Sequence, residues 1–295
     1  MKISTRPIPQ LDAATFVTST QGIIAKKRVG KSYTASVQAE ELLDANQQIV
    51  VVDPTSAWWG LRSNAAGDGP GYPIAVLGGD HGDAPLAVGS GVQVAEAVVA
   101  DGFSCILDVS GFDEGDDVDF VADFLETFYR RNRVAVHLFV DEADMFAPQV
   151  NDSAGQKRSG RALNNIVRRG GIKGIGCTLI TQRAAVISKN VISQVDMLTV
   201  LQTLYTGDIE TIEGWVKVHA NKAVAREMLD SLPTLSREAW LWSPTLGLFD
   251  RVPIRERRTF NSGRTPEAGE RIAPPRVLAP VDVAKLGATI AAAAE

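Results

Sequence analysis

Cysteine is nearly absent. Cys105 and Cys177 are the only two in 295 residues, each inside an apolar run. This excludes a disulfide framework and a cysteine-ligated metal, and predicts buried free thiols in a reducing, cytoplasmic setting. No apolar run approaches the ~20 residues of a membrane-spanning helix, so no membrane partner is expected. The N-terminal stretch has no basic segment followed by an apolar one, which predicts no secretory leader. The Ala-rich end, Leu286 to Ala294, has too few large side chains to anchor anything. Positive charge is not in excess either: 30 Lys and Arg against 35 Asp and Glu leave a net −5. Contact with nucleic acid therefore needs a local basic cluster. The rest of the composition, 45% hydrophobic and 22% charged, excludes a disordered or collagen-like chain and allows one large domain or two small ones.

Short apolar runs alternate with amphipathic stretches. Strands are predicted at Thr18–Ala25, Gln48–Asp53, Ser104–Val109, Arg133–Val140, Gly176–Thr181 and Met197–Gln202. Their continuous apolar character is that of strands buried on both faces. Helices are predicted at Lys31–Ala45, Gly91–Ala100, Val118–Asn132 and Ser159–Arg169. A Gly-, Pro- and Asp-rich region, Gly60 to Gly91, is broken by one apolar run, Pro73–Leu77. Parallel strands need helical crossovers, and this alternation supplies them, so the fold class is α/β with a mostly parallel sheet flanked by helices. After Tyr205 come two helices, Gly207–Lys217 and Asn221–Leu232, then strands Trp240–Ser243 and Leu248–Ile254. The expected divisions are an N-terminal arm (1–17), a core (18–205), a C-terminal extension packed on the same sheet (206–260) and a tail (261–295) that wraps a neighbouring subunit.

The sharpest local signal is Ala25-Lys26-Lys27-Arg28-Val29-Gly30-Lys31-Ser32, a phosphate-loop pattern with Ala25 in place of the first Gly. A strand precedes it and a helix follows, so backbone N–H groups at a helix N-terminus are available for phosphate oxygens. The residues expected to hold ATP are Lys27, Arg28, Val29, Gly30, Lys31, Ser32 and Tyr33. Lys31 would bridge the β and γ phosphates, and the Ser32 hydroxyl would ligate Mg²⁺. Gly30 lets the backbone approach without a Cβ. Alanine at 25 requires a negative φ there, and Val29 is β-branched where small residues are usual.

Val134 to Glu142 (VAVHLFVDE) is an apolar strand closing on an Asp-Glu pair. Asp141 is expected at the Mg²⁺, and Glu142 as the base that polarises the attacking water. Gln182 ends the next apolar strand and is expected either to sense the γ-phosphate or its water, or to cap the strand. The intervening strand Ser104–Val109 is expected beside the phosphate-loop strand. With a glutamate after the aspartate, that insertion distinguishes motor-type ATPases from kinases and GTPases.

Together AKKRVGKS, VVDP at Val51–Pro54, FVDEAD at Phe139–Asp144, RRGGIKGIGCTLITQR at Arg168–Arg183 and SQVDMLTV at Ser193–Val200 resemble the HerA/FtsK superfamily of P-loop ATPases, nearer the HerA side. The resemblance covers roughly residues 15–205. VVDPTSAWWGLRS and GGDHGD also resemble stand-alone ATP-binding proteins of bacteria and their phages. What this implies is a RecA-like (ASCE) P-loop NTPase core, with ATP and Mg²⁺ as cofactors. It further implies a homo-oligomer, a hexameric ring, and translocation or helicase-like remodelling of double-stranded DNA. A nuclease partner is a further implication; archaeal relatives place an N-terminal β-barrel ahead of the loop, which here begins at Ala25. The family completes each site with an arginine from the neighbouring subunit, and Arg168 and Arg169 match that position, with Arg183 third. Helix C-cap charge explains the same pair equally well.

Gln156 to Lys173 carries Lys157, Arg158, Arg161, Arg168, Arg169 and Lys173 without an acidic residue. A ring that turned the Lys157–Arg161 loop into its pore would hold DNA by its phosphates, with strong salt dependence and little sequence preference. A solvated basic helix face is the alternative. Arg251 to Arg258 reads equally as a strand with one charged face. Trp58 and Trp59 are expected to be buried rather than stacked on adenine. His81 in GGDHGD is expected in a turn held by Asp side chains rather than at a metal. Two other functions use the same loop: a nucleotide-binding scaffold with little turnover, and a kinase passing phosphate to an acceptor. The Asp-Glu pair followed by Gln182 favours water as the acceptor.

Overall fold

The computed structural model describes residues 12–217 and 221–282, with 284 and 287. Nine strands, β1 (Thr20–Ile24), β2 (Gln48–Asp53), β3 (Ala75–Gly78), β4 (Cys105–Asp108), β5 (Val136–Val140), β6 (Ile175–Thr181), β7 (Met197–Val200), β8 (Glu238–Ser243) and β9 (Leu248–Pro253), form one sheet among the described residues. Its order is β3-β4-β2-β5-β6-β1-β7-β8-β9. Pairing is parallel from β3 to β7 and antiparallel at β7–β8 and β8–β9. The expected α/β class with a mostly parallel sheet is borne out, and the C-terminal strands extend that same sheet.

Helices are α1 (Ala13–Phe16), α2 (Lys31–Asp44), α3 (Gly91–Asp101), α4 (Asp116–Arg131), α5 (Ala143–Phe146), α6 (Ala154–Arg169), α7 (Lys189–Ile192), α8 (Thr206–Val216) and α9 (Lys222–Ser231). On one face of the sheet α3, α4 and α6 bury Val94, Phe124, Phe128, Leu163 and Ile166 against Leu107, Leu138 and Leu179. On the other, α2 buries Ala35, Ala39 and Leu42, spaced along one helical face, against Ile23, Val51 and Phe139. A third cluster joins α8 and α9 to β1, β7 and β8 through Ile212, Met228, Leu198 and Trp240. Cys105 and Cys177 are both free and buried, and burial pushes their thiols up.

Four expectations are corrected. Ser104–Val109 does not lie beside the phosphate-loop strand: β4 pairs with β2 and β3, and β1 is flanked by β6 and β7. Chain order fixes which strands exist, whereas crossovers decide which lie side by side. The 1–17 arm is in part core: Asp12 caps α1 by accepting from Thr15 N–H at 2.9 Å, and Phe16 and Val17 are buried. Residues 1–11 lie outside the described ones. The Lys157–Arg161 loop is helix, because Ser153 accepts from Gln156 N–H at 3.1 Å and starts α6 well before Ser159. The tail, as far as described, wraps its own chain. Ala279 N–H donates to Arg62 C=O at 2.6 Å, and Arg276 N–H to Gly67 C=O at 2.7 Å. The Ala-rich end falls outside the described residues, except 287.

Candidate functional site

In the sheet, β5 and β6 lie between β1 and β2, so the carboxyl ends of β1, β5 and β6 open onto one crevice at a switch in strand order, where α/β sheets bind ligands. The loop between β1 and α2 is pinned there by its backbone. Ala25 N–H donates to Thr181 C=O (3.3 Å) and Lys26 N–H to Gln202 C=O (2.9 Å). Left-handed backbone falls on Arg28 (φ 66°) and Gly30 (φ 96°), not on Ala25, so alanine fits and its methyl joins the core. Val29 packs half-buried against that same core, which accounts for its branching. Thr34 N–H makes the bond to Gly30 C=O (2.8 Å) that opens the helical ladder, so the N–H groups of Lys31, Ser32 and Tyr33 precede it and point out of the helix.

Lys31 Nζ lies 2.6 Å from Glu142 Oε1 and 3.5 Å from Asp141 Oδ1. Burial works to lower the Lys31 pKa, but the two carboxylates outweigh it and the net direction is up. Burial raises that of Glu142, against the opposing pull of Lys31. Ser32 Oγ donates to Asp141 Oδ2 at 2.7 Å. Gln182 Nε2 donates to Glu142 Oε2 at 3.3 Å. Glu142 itself takes left-handed backbone (φ 45°), an unfavourable state for a non-glycine residue that aims its carboxylate back across the strand end. The structure thus brings Lys31, Ser32, Asp141, Glu142 and Gln182 together although Lys31 and Gln182 are 151 positions apart.

The donor set suits a hydrated magnesium ion and a triphosphate. Ser32 and Asp141 are adjacent hard-oxygen donors, and Lys31 with the exposed helix N–H groups provides the cationic side. Thr34, in the wall of the adjoining cavity, keeps a buried hydroxyl with no hydrogen-bond partner among the described residues. That cavity, of about 850 Å³, runs from Lys27 through Tyr33 to Arg257 and Thr265.

Two contributors escaped the sequence reading. Trp58, fully buried, donates its indole N–H to Asp141 Oδ2 at 3.0 Å. Asp53, at the end of β2, accepts from Trp58 N–H (2.9 Å) and Thr55 N–H (3.0 Å). Burial, and then the nearby Asp141 charge, push its pKa up to about 7. A signal for Asp53 was present: three parallel strands, QIVVVD, CILD and VHLFV before Asp141, each run into an aspartate at one edge of the sheet.

Other candidates stand apart. Arg168 and Arg169 are exposed in the last turn of α6, at the amino end of β6. The seven residues of β6 separate them from Gln182, about 20 Å of strand. Within one chain they do not reach the site, and they lie in the last helical turn just ahead of the C-cap Gly170, where cations suit the helix end. Arg183 is exposed beside a smaller cavity of about 300 Å³ with Lys26, Lys27 and Asp208. Lys157 and Arg161 are exposed on α6, but Arg158 is not a free cation: Asp123 (2.5 Å) and Glu126 (2.8 Å) of α4 hold it. The acidic partners missing from the local sequence come from the neighbouring helix. In the second basic run, Arg251 pairs with Glu238, Arg255 with Glu40, and Arg258 with Asp44. Trp59 stacks on His81 at 3.8 Å, while Asp83 accepts from Val76 N–H (2.8 Å) and pairs with Arg62, the expected Asp-held turn.

No family model and no curated protein matches this chain in sequence. Solved structures do match in fold. The genome-packaging NTPase B204 of Sulfolobus turreted icosahedral virus 2, in complex with ATP-gammaS, aligns at TM-score 0.52 and 14% identity over 81% of this chain and 98% of its own. B204 described as the DNA-packaging ATPase of Sulfolobus Turreted Icosahedral Virus gives the same values, TM-score 0.52 and 14% identity, covering 81% and 98%. VirB4 of Thermoanaerobacter pseudethanolicus aligns at TM-score 0.51 and 12% identity over 81% of this chain and 89% of its own. The fold of the chain is therefore that of these structures, a RecA-like P-loop NTPase fold with a mostly parallel sheet flanked by helices.

Proposed function

We propose that this chain is an ATPase that hydrolyses ATP with Mg²⁺ and spends the cycle moving or remodelling double-stranded DNA as a homo-oligomeric ring. The observation that carries the reading is the convergence of Lys31 and Ser32, at the start of α2, on Asp141 and Glu142, at the end of β5. The fold relative B204 is a genome-packaging NTPase solved with ATP-gammaS, which supports both halves of the reading.

Bound ATP with its metal supplies the phosphoanhydride and the electrophilic γ-phosphorus. The chain supplies the rest. Ser32 and Asp141 would hold the metal, with Trp58 fixing Asp141 in orientation. Lys31 is shared with Glu142, and phosphate oxygens compete for it; its transfer to phosphate leaves Glu142 free to accept a proton from water. A carboxylate kept more basic than usual by burial suits that task. Gln182, bonded to Glu142, would register the change and pass it into β6. Arg168, Arg169 or Arg183 would complete the site from the adjacent subunit, as a cation opposing charge on the transferred group. Lys157 and Arg161 are the DNA-contacting pair of this proposal; Arg158 is withdrawn from it by Asp123 and Glu126.

The test is phosphate release by the purified chain with and without double-stranded DNA, alongside its size by sedimentation. DNA-stimulated release of free phosphate in a ring-sized species is the expected result. Transfer of phosphate to an acceptor, or tight binding without turnover, overturns it.

A further inference from the structure

The cavity beside the phosphate loop has a second wall that no motif announces. After β9 the chain crosses α2 as a strap, residues 254–265, and returns over the loop that carries Trp58. Its anchor is Glu40, a carboxylate with no solvent exposure. Glu40 accepts from Arg258 N–H (3.0 Å), Thr259 N–H (2.9 Å) and Thr259 Oγ1 (2.6 Å), and pairs with Arg255 (2.6 Å). Farther along, Phe260 N–H donates to Ser63 C=O (3.0 Å) and Ser262 Oγ to Ala57 C=O (2.7 Å). The strap also meets the phosphate loop directly, because Arg257 N–H donates to the hydroxyl of Tyr33, the residue after Ser32, at 2.8 Å.

The two halves of the cavity differ in chemistry. Near Lys31 and Ser32 it offers cations and backbone N–H groups, which suit phosphates. Toward the strap it offers the apolar Leu235 and Ile254 set among hydrogen-bonding and charged side chains, Arg237, Glu238, Glu256 and Asn261 among them. A heterocycle needs apolar surface for its faces, which Leu235 and Ile254 offer, and its edge and the sugar hydroxyls need hydrogen-bonding groups, which the carboxylates, Asn261 and Thr265 supply. The whole volume, about 850 Å³, falls in the range of sites that enclose a molecule of nucleotide size. The cavity on the other flank of the loop is smaller, about 300 Å³, and holds Lys26, Lys27 and Arg183.

We propose that the strap side of the larger cavity is the nucleoside subsite, so that residues near the C-terminus hold base and sugar while the loop after β1 holds phosphate. The inference rests on the ATPase reading, and its test separates the two. Binding of ADP and of inorganic tripolyphosphate is measured by calorimetry on the full chain, its Thr265→Trp and Asn261→Ala variants, and Lys31→Ala. Thr265 is exposed, so the indole fills the cavity from its rim without entering the core. The expected result is a loss of about tenfold or more in ADP affinity for Thr265→Trp, and a smaller one for Asn261→Ala. Tripolyphosphate binding stays unchanged in both, and Lys31→Ala weakens both ligands. Photolabelling with 8-azido-ADP is expected to mark the peptide containing residues 254–265. Unchanged ADP affinity with the label elsewhere overturns the subsite and leaves the ATPase reading intact. Equal loss of ADP and tripolyphosphate in both strap variants overturns it too, since the strap then acts on the loop and not on the nucleoside. Failure of the unmodified chain to bind either ligand overturns the ATPase reading itself.

Discussion

Lys31 and Arg158 are each held between two carboxylates, yet their surroundings differ. Lys31 sits between Asp141 and Glu142 with 12% of its side chain exposed, and its partners show 0% and 15%. Arg158 sits between Asp123 and Glu126 with 39% exposed, beside partners at 27% and 33%. Removing charges from water is expensive, and mutual attraction rarely more than balances that expense. A buried lysine–carboxylate cluster is therefore a poor device for stability, which makes sense only if its groups are wanted for chemistry. The exposed pair between α4 and α6 costs little to maintain and needs no purpose beyond solubility and helix registry.

The largest expected effect tests the chemical side of that contrast. Glu142→Gln keeps the shape and the left-handed backbone but removes the proton acceptor. Steady-state hydrolysis should fall by roughly 10²- to 10⁴-fold, while ATP binding, measured by calorimetry, persists. Turnover within about threefold of the unmodified chain would place the base elsewhere and leave the buried cluster without its explanation.

A second buried group lies outside the site and sets the contrast from the stability side. His137, fully buried, meets Val17 C=O at 3.1 Å through Nδ1 and Thr178 Oγ1 at 2.7 Å through Nε2. A carbonyl only accepts, so Nδ1 carries a proton. Burial lowers its pKa from 6.5 to about 4. Between pH 6.5 and 4 the unfolded chain therefore binds the extra proton, and the stability His137 contributes is present above that window and lost as pH falls through it. The loss is on the order of 3 kcal/mol. Asp53 works in the opposite sense, because its raised pKa favours the folded state at low pH and that contribution fades as pH rises toward 7. Urea unfolding at pH 5 and 8 should therefore show a smaller acid loss in His137→Gln than in the unmodified chain. An equal loss in both assigns the acid sensitivity to other groups.

How much of this was legible depended on chain distance. The phosphate loop and the Asp-Glu strand end are contiguous words, and their residue types state their chemistry. Ala25 and Val29 looked like departures, but the turn places its left-handed residues at Arg28 and Gly30 instead. Trp58 and Asp141 are 83 positions apart, and nothing in either segment names the other. Glu40 reads in sequence as an ordinary helix former; its burial follows from partners more than 200 positions later, on the strap. The same holds for Arg158, whose acidic partners lie on a different helix. The lateral place of Ser104–Val109 was invisible for a related reason, since two strands with identical apolar character can exchange positions in a sheet without changing the pattern of either.

Trp58 allows a finer division within the buried cluster. Its N–H fixes one oxygen of Asp141, which Ser32 also contacts, so Trp58→Phe removes an orienting bond while leaving every charge in place. The expected effect is a tenfold or so rise in the Mg²⁺ concentration needed for half-maximal hydrolysis, with a lesser change in ATP affinity at saturating metal. A uniform loss at all metal concentrations would instead mean that the indole only fills space.

The smallest effects belong to α6. Because Arg158 is partly exposed and screened, Arg158→Ala should change unfolding free energy by no more than about 1 kcal/mol and leave DNA affinity nearly unaltered. Lys157 and Arg161 have no such carboxylate partner among the described residues. Replacing both by Ala should reduce the dependence of log affinity on log salt by roughly two, with hydrolysis in the absence of DNA unchanged. The salt slope is the informative quantity here, because it reports phosphate contacts and is indifferent to small losses of stability. If Arg158→Ala lowers the slope as much as the Lys157 and Arg161 changes do, the pairing with Asp123 and Glu126 gives way when DNA arrives, and an exposed ion pair between α4 and α6 becomes a reserve of positive charge.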